Sequence, residues 1–137
     1  MILQWARMVL VLLEFKGLGS VKAEFVGSLN PKTVTAILKR LPIESKAMRW
    51  GDEVYFETPV SVGEENTKTI MEVGELAYWP PGRAIAIFFG PTPVSRSGEP
   101  RAYSPCNPIG KVVEGFDVLK KVKSGMPVKV MMLREGT

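Results

Sequence analysis

Short apolar stretches separated by glycine or proline recur along the 137 residues of this chain, and they constrain its fold most. Residues 8–15 and 20–27 are two such stretches, joined by the glycine-rich turn at 16–19. In the second stretch apolar residues alternate with charged ones, which predicts a strand with one buried and one wet face. Residues 84–89 are continuously apolar, as expected of a central strand in a barrel or sandwich. The pattern therefore predicts a mainly β protein.

Further strands are expected in the middle and at the end of the chain. Residues 43–73 are predicted to be mostly extended, and strands are predicted over 76–79 and 128–133. Two prolines and a glycine at 80–82 mark a turn, because neither a strand nor a helix accommodates them. The segment 91–108 is rich in proline, serine and glycine, so we interpret it as a long loop.

Two segments have the pattern of a helix. Asn30 is a good N-cap residue, and Pro31 suits the first helical position because its missing N–H costs nothing there. Apolar residues then follow at helical spacing up to Pro42, which ends the helix. A second helix is predicted over 116–124. Many short strands with two isolated helices indicate a closed or nearly closed β-barrel whose ends the helices cover.

The length of the chain fits a single domain spanning residues 1–137. Residues 1–7 are interpreted as a possible N-terminal extension, because the strand begins abruptly at Met8. The apolar run 8–13 is far shorter than the roughly 20 residues that span a bilayer, and no signal-peptide cleavage site accompanies it. We therefore expect no membrane association.

Charge and cysteine content limit the partners and the compartment. The net charge of +4 and a pI near 9.3 are a mild basic excess, and the basic residues are scattered among acidic ones. This favours a solvated surface over a nucleic-acid platform. Cys106 is the only cysteine, so no intramolecular disulfide can form and a reducing, cytoplasmic location is expected.

The chain contains no histidine, which removes the usual base from most acid–base and nucleophilic chemistry. No metal or cofactor is predicted. Several carboxylates could serve a hard cation, but their spacing fits no metal-binding loop, so a wet strand face is the favoured interpretation. These carboxylates are Asp52, Glu53, Glu57, Glu64, Glu65 and Glu72.

Two segments are candidates for binding, each with a structural alternative. Tyr78 and Trp79 precede two rigid prolines, so they could form a preformed surface for a peptide or ring ligand. Alternatively, Trp79 plugs one end of the barrel. Arg101, Ser104 and Asn107 offer one cation and two neutral hydrogen-bonding groups, or they stabilise their own loop.

Several motifs resemble those of the cyclophilins. The strand, turn and helix opened by Pro-Lys-Thr at 24–38 are similar to theirs, as are the Gly-Lys-Val strand and the helix at 109–122. The middle of the chain resembles a small prokaryotic cyclophilin-like family more narrowly, in the motifs at 50–56, 74–82, 88–93, 99–102 and 107–111. The resemblance covers about residues 8–133. It implies a closed eight-stranded antiparallel barrel with two capping helices.

The same resemblance puts prolyl isomerase activity in doubt. Cyclophilins use an arginine that donates to the prolyl nitrogen, and a histidine helps line their groove. The corresponding region near 51–59 carries carboxylates, which accept but cannot donate when ionised. Cys106 or Asn107 lies nearest the position of the missing histidine. The apolar wall is retained through Phe88 or Phe89.

Substitutes for the missing donors are available but match no cyclophilin catalytic position. Arg101 could swing toward the groove, and Tyr55 and Tyr78 could supply hydroxyl donors. We therefore predict a domain that binds a peptide segment or small molecule in an apolar groove without catalysis. The alternative is a divergent prolyl isomerase, and a third, weaker possibility is a protein–protein subunit of unknown oligomeric state.

Overall fold

Ten strands, a 3₁₀ turn and two α-helices lie within residues 8–135, the part of the chain that the computed structural model describes. The predicted extension at 1–7 lies outside these residues. The strands are β1 (Met8–Phe15), β2 (Gly19–Val26), β3 (Ile43–Lys46), β4 (Met48–Arg49), β5 (Glu53–Glu57), β6 (Lys68–Ile70), β7 (Glu75–Trp79), β8 (Ala84–Phe88), β9 (Arg101–Glu114) and β10 (Pro127–Glu135). The helices are α1 (Pro31–Leu38) and α2 (Phe116–Leu119), and the 3₁₀ turn is Pro80–Gly82.

All strand pairings are antiparallel, in the order β3-β10-β1-β2-β9-β7-β8-β5-β4, with β6 paired to β9 beside this path. The mainly β class, the antiparallel pairing and the two helices are confirmed. The predicted closed barrel of eight strands is wrong, because the sheet has ten strands and is not closed. Its end strands β3 and β4 are separated only by Ala47, so they continue along one extended segment. Two strands that follow each other directly along the chain can pair antiparallel only across a turn. No turn lies between β3 and β4, so they do not pair with each other.

Strands β1 and β2 bury one face each, as their alternation predicts. Val9, Val11, Leu13 and Phe15 of β1 are all buried in one large hydrophobic cluster, the main core. The intervening residues are half-buried or exposed. This alternation fixes the register of β1, since a slip by one residue would turn its apolar side chains outward.

Strand β8 is buried along its whole length because it separates two apolar clusters. Ile85 and Ile87 belong to the main core, whereas Ala86 and Phe88 point to the opposite face. There they join a smaller group of buried residues, here called the second cluster. Its members are Met71, Ala77, Ala86, Phe88, Ala102 and Cys106.

The first helix begins where predicted, but its cap differs. Asn30 occupies the N-cap position and Pro31 follows it, yet the Asn30 side chain makes no cap hydrogen bond. Its Nδ2 instead donates to the carbonyl oxygen of Pro108 at 2.7 Å. The carboxylate of Glu65 takes over the cap, because it accepts from the backbone N–H groups of Lys32 at 3.2 Å and Thr33 at 3.1 Å.

Three boundaries differ from the sequence prediction. The first helix ends at Leu38, before Pro42. The predicted loop at 91–108 is too long, because β9 already begins at Arg101 and pairs there with β6. Short β6 gives residues 101–106 a partner that the composition of this segment does not reveal. The second helix ends at Leu119 rather than at 124, and turns lead from it to β10. No helix within residues 8–135 is long and apolar enough to cross a membrane.

Gly110 lies in β9 at a point where two neighbouring strands approach it, β2 at Phe25 and β7 at Leu76. A Cβ added at Gly110 would overlap the backbone carbonyl oxygen of Glu24. We therefore expect G110A to lower the free energy of unfolding by about 1–3 kcal/mol, the usual cost of overpacking. Urea titration measures this loss.

The matched control is G63A, since a Cβ at Gly63 would meet no atom within 4 Å. G63A should unfold at nearly the wild-type urea concentration. Equal stability of G110A and G63A would show that β2 and β9 can separate here without cost.

Candidate functional site

A pocket opens on the face of the sheet that carries the second cluster. It has a volume of about 220 Å³. Strands β5, β7 and β9 and the turn before β5 supply its walls. This aromatic pocket is lined by Trp50, Glu53, Tyr55, Trp79, Ala102, Tyr103 and Cys106.

Strand alternation explains how β5 and β7 contribute to this pocket. Glu53 and Tyr55 are two residues apart, so they project from the face opposite to Val54 and Phe56, which lie in the main core. On β7, Leu76 and Tyr78 point into the main core, and Trp79 points to the opposite face of the sheet. Tyr55 and Trp79 both pack against the second cluster.

Aromatic side chains form most of the pocket wall. The Tyr103 ring lies edge-on to Trp50, with centroids 6.2 Å apart, and edge-on to Trp79 at 6.4 Å. Trp79 is held in place because its indole Nε1 donates to Ser104 Oγ at 2.6 Å. Tyr103 itself is 72% exposed, so it stands at the rim of the pocket.

Glu53 is the one carboxyl group of the lining, and it is 7% exposed. Its Oε1 is fully buried and has no hydrogen-bond partner within residues 8–135. Burial raises the pKa of Glu53 from 4.5 to about 8, because the charged form loses its hydration. The prediction that Glu53 lies on a wet strand face is therefore wrong. The second cluster and the aromatic rings cover that face.

Cys106 is also buried, and its Sγ donates weakly to the carbonyl oxygen of Ser104 at 3.4 Å. Burial, and then the nearby charge of Glu53, raise the pKa of Cys106 to about 12. The thiol is neutral at physiological pH and hence a poor nucleophile. It contributes an apolar surface to the pocket.

Among the residues predicted to bind a ligand, Tyr55 and Trp79 lie together in the aromatic pocket. Phe88 is close by in the second cluster but is fully buried. Tyr78 lies on the other face of the sheet, in the main core. Its hydroxyl accepts from the Val62 backbone N–H at 3.3 Å, so it serves the fold.

Phe89, Arg101 and Asn107 lie outside the pocket lining. Phe89 packs in the main core with the Arg49 guanidinium 4.9 Å from its ring centroid. Asn107 is fully buried and bridges Thr33 and Gly63 through its Nδ2, at 3.0 Å each. It thus fixes α1 and the segment before β6 to β9, rather than stabilising its own loop as one of the two interpretations expected.

Arg101 is engaged with its neighbour, since its Nε donates to Glu99 Oε2 at 2.7 Å. The backbone N–H groups of Arg96 and Ser97, and then Arg101, lower the pKa of Glu99 to about 2. Glu99 is therefore ionised at neutral pH and holds the guanidinium. A swing of Arg101 toward the pocket would have to break this pair.

Trp50 and Tyr103 were not predicted to line a site, and Glu53 was not predicted to be buried in one. The signal for Glu53 was its spacing of two from Tyr55 on a strand whose other face is apolar. Tyr103 was hidden because its segment was interpreted as a loop. Glu53 on β5 and Tyr103 on β9 line the same pocket only because β5, β8, β7 and β9 follow each other in the sheet.

The antiparallel sheet, the two helices and their order along the chain define a cyclophilin-like domain. A family model described as Cyclophilin-like matches residues 10–131, and the chain belongs to this family. The resemblance inferred from the sequence motifs is confirmed.

A solved structure supports the same assignment. The chain is similar to a hypothetical protein from Archaeoglobus fulgidus, whose structure was determined in solution. The two are 41% identical, the match covers 90% of this chain and 93% of that one, and the TM-score is 0.76. None of the curated proteins matches the chain.

The raised pKa of Glu53 makes stability depend on pH. The carboxyl group ionises above pH 4.5 when unfolded but only above about 8 when folded, so the folded state loses stability as pH rises between these values. E53Q keeps the shape without the charge. We expect the free energy of unfolding of E53Q to exceed that of the wild type increasingly from pH 5 to 9, by an amount on the order of 3–5 kcal/mol.

Chemical denaturation at several pH values measures this difference. The control is E57Q, because Glu57 lies on the same strand but is exposed. E57Q should follow the wild-type pH profile. A constant difference between E53Q and the wild type from pH 5 to 9 would contradict an uncharged Glu53.

Proposed function

We propose that the domain binds a small organic ligand, or one side chain of a peptide, in the aromatic pocket without chemical conversion. The observation that carries this proposal is Glu53, which lines a pocket together with four aromatic rings and whose buried Oε1 has no partner within residues 8–135. A buried polar atom without a partner costs about 1–3 kcal/mol. A ligand that bonds to Glu53 would recover that cost.

The size of the pocket supports a small ligand. Its volume of about 220 Å³ is below the roughly 300–1,000 Å³ of sites for drug-sized molecules. A single side chain or a small metabolite fits this space. The aromatic rings supply apolar contact area at a small conformational cost, and Glu53 supplies the orienting polar group.

Catalysis has little support among the lining residues. The chain has no histidine, and the Cys106 thiol is protonated at neutral pH. A lone buried cysteine also supports the proposal of a reducing, cytoplasmic setting.

A divergent prolyl isomerase is the second candidate, and one observation favours it. Arg101 directly precedes Ala102 and Tyr103 of the pocket lining, so a guanidinium is next to the site in sequence, as Arg49 is before Trp50. A proline ring would fit the aromatic pocket. The ion pair with Glu99 weighs against this function, because it occupies the donor that catalysis would need.

Ligand binding can be tested through the tryptophan signals of the pocket. We expect small compounds of aromatic, amine, amide and carboxylate chemistry to include binders that shift the indole N–H resonances of Trp50 and Trp79. Y103A should weaken such binding roughly tenfold, because it removes an aromatic wall. Heteronuclear NMR titration measures both effects.

V113A is the matched control, since Val113 is exposed on the same strand but does not line the pocket. It should bind like the wild type. If no compound shifts the two indole resonances, or if Y103A and V113A bind equally well, the proposed site is wrong.

Isomerase activity is tested separately with an Ala-Pro peptide in exchange NMR. We expect no acceleration of cis–trans exchange by the wild type, even at high protein concentration. Acceleration that is lost in R101A but kept in R96A would establish the second candidate instead.

A further inference from the structure

We propose that the ligand of the aromatic pocket is a small alkylated ammonium ion, whose charge Glu53 balances and whose alkyl groups pack against the surrounding rings. This inference rests on the proposed function and adds the chemical class of the ligand. It starts from Glu53, which lines the pocket, is 7% exposed, and has a buried Oε1 without a hydrogen-bond partner within residues 8–135.

A buried carboxylate is stable only with a positively charged or hydrogen-bonding partner. Within the part of the chain that the structure describes, the pocket lining contains no lysine or arginine. The nearby cations have other partners. Arg49 donates to Asp52 Oδ1 at 3.1 Å and to the Val122 carbonyl oxygen at 3.0 Å, and Arg101 pairs with Glu99. Among the residues that the structure describes, none is therefore left to pair with ionised Glu53, and a ligand could supply the missing positive charge.

The aromatic lining suits the same kind of ligand. Trp50, Tyr55, Trp79 and Tyr103 all border the pocket. The faces of aromatic rings carry partial negative charge and attract cations, most strongly in tryptophan. The T-shaped arrangement of Tyr103 with Trp50 and with Trp79 places three of these rings around one rim.

The composition of the lining favours an alkylated ammonium over a primary one. A primary ammonium has three N–H donors, and each needs an acceptor when it is buried. The acceptors of the lining side chains are one carboxyl group and two phenol hydroxyls, of which that of Tyr103 belongs to a side chain at the exposed rim; the rest is the two indoles, the Ala102 methyl and the Cys106 thiol. Alkyl groups on the nitrogen replace donors with apolar surface, which this lining can cover.

The dependence of binding on pH distinguishes a cation from a neutral ligand. A cation needs ionised Glu53, so its affinity should rise with pH up to about 8, where the carboxyl group titrates. A neutral ligand that accepts a hydrogen bond from protonated Glu53 would instead lose affinity over the same range.

Few charged or titratable side chains lie on the strands that pack around Glu53. Tyr55 lies on β5, Tyr103 and Cys106 lie on β9, and Asp52 in the preceding turn is paired with Arg49. On β7, Glu75 shares the face of Ala77 and Trp79 and is paired with Lys68 of β6 at 2.9 Å, whereas β8 contributes apolar residues to this face. A parallel titration of E53Q isolates the contribution of Glu53 from these groups.

The test compares choline with 3,3-dimethyl-1-butanol, in which a carbon atom replaces the charged nitrogen of choline. Choline keeps its charge at every pH, so only the protein titrates. We expect wild-type protein at pH 8.5 to bind choline at least about tenfold more tightly than the alcohol. The affinity for choline should fall about tenfold per pH unit below about 8 and level off above it.

E53Q should bind choline with an affinity that no longer depends on pH and with a smaller preference over the alcohol, because only the rings still attract the cation. The NMR spectrum of E53Q shows whether this variant is folded. A second variant, W50L, removes one aromatic ring, so it should bind choline more weakly but with the same dependence on pH. NMR titration of the indole signals measures all affinities.

The outcomes separate this inference from the proposed function. Equal binding of choline and the alcohol by the wild type, or unchanged choline selectivity in E53Q, overturns the ammonium ligand but leaves a binding pocket. Affinity for the alcohol that falls with rising pH assigns the pocket to a neutral ligand. If neither these probes nor any other small compound binds, both proposals fail.

Discussion

Burial of both faces of the central strands is the constraint on which the rest of the structure depends. Strand β8 separates the main core from the second cluster, and all five of its residues are buried. A β-strand can satisfy its backbone in such a place only through ladders on both sides, which β5 and β7 supply. Two apolar clusters on one sheet then create the surface on which the aromatic pocket forms.

A set of buried polar side chains complements these clusters. Asn30 Oδ1 accepts from the Asn66 backbone N–H at 2.7 Å, and Asn107 Oδ1 accepts from the Glu65 N–H at 2.9 Å. Glu65 in turn caps α1 through Thr33. The irregular segment before β6 is thereby fixed to the helix and to β9. Because each of these polar groups has partners, they stabilise the fold, unlike Glu53 in the pocket.

Glu53 therefore stands apart from the other buried polar residues of the domain. Its lack of a partner destabilises the empty protein, most of all above the pKa of about 8. Residues that reduce stability in this way are commonly found where a protein binds a ligand. The proposed ammonium ligand would supply the partner that Glu53 lacks among the residues that the structure describes.

The sequence by itself determined the class of fold, the strands at each end of the chain and the start of α1, because alternation, helical spacing and proline act locally. It also singled out Tyr55 and Trp79 of the aromatic pocket. Only the tertiary structure decided that the sheet stays open at Ala47, that β9 begins at Arg101, and that Glu53 is buried. Each of these depends on strands distant in sequence. A solvent-exposed strand face and a buried one can show the same alternation of residues in the sequence. Only the packing of the second cluster shows that the face with Glu53 is buried.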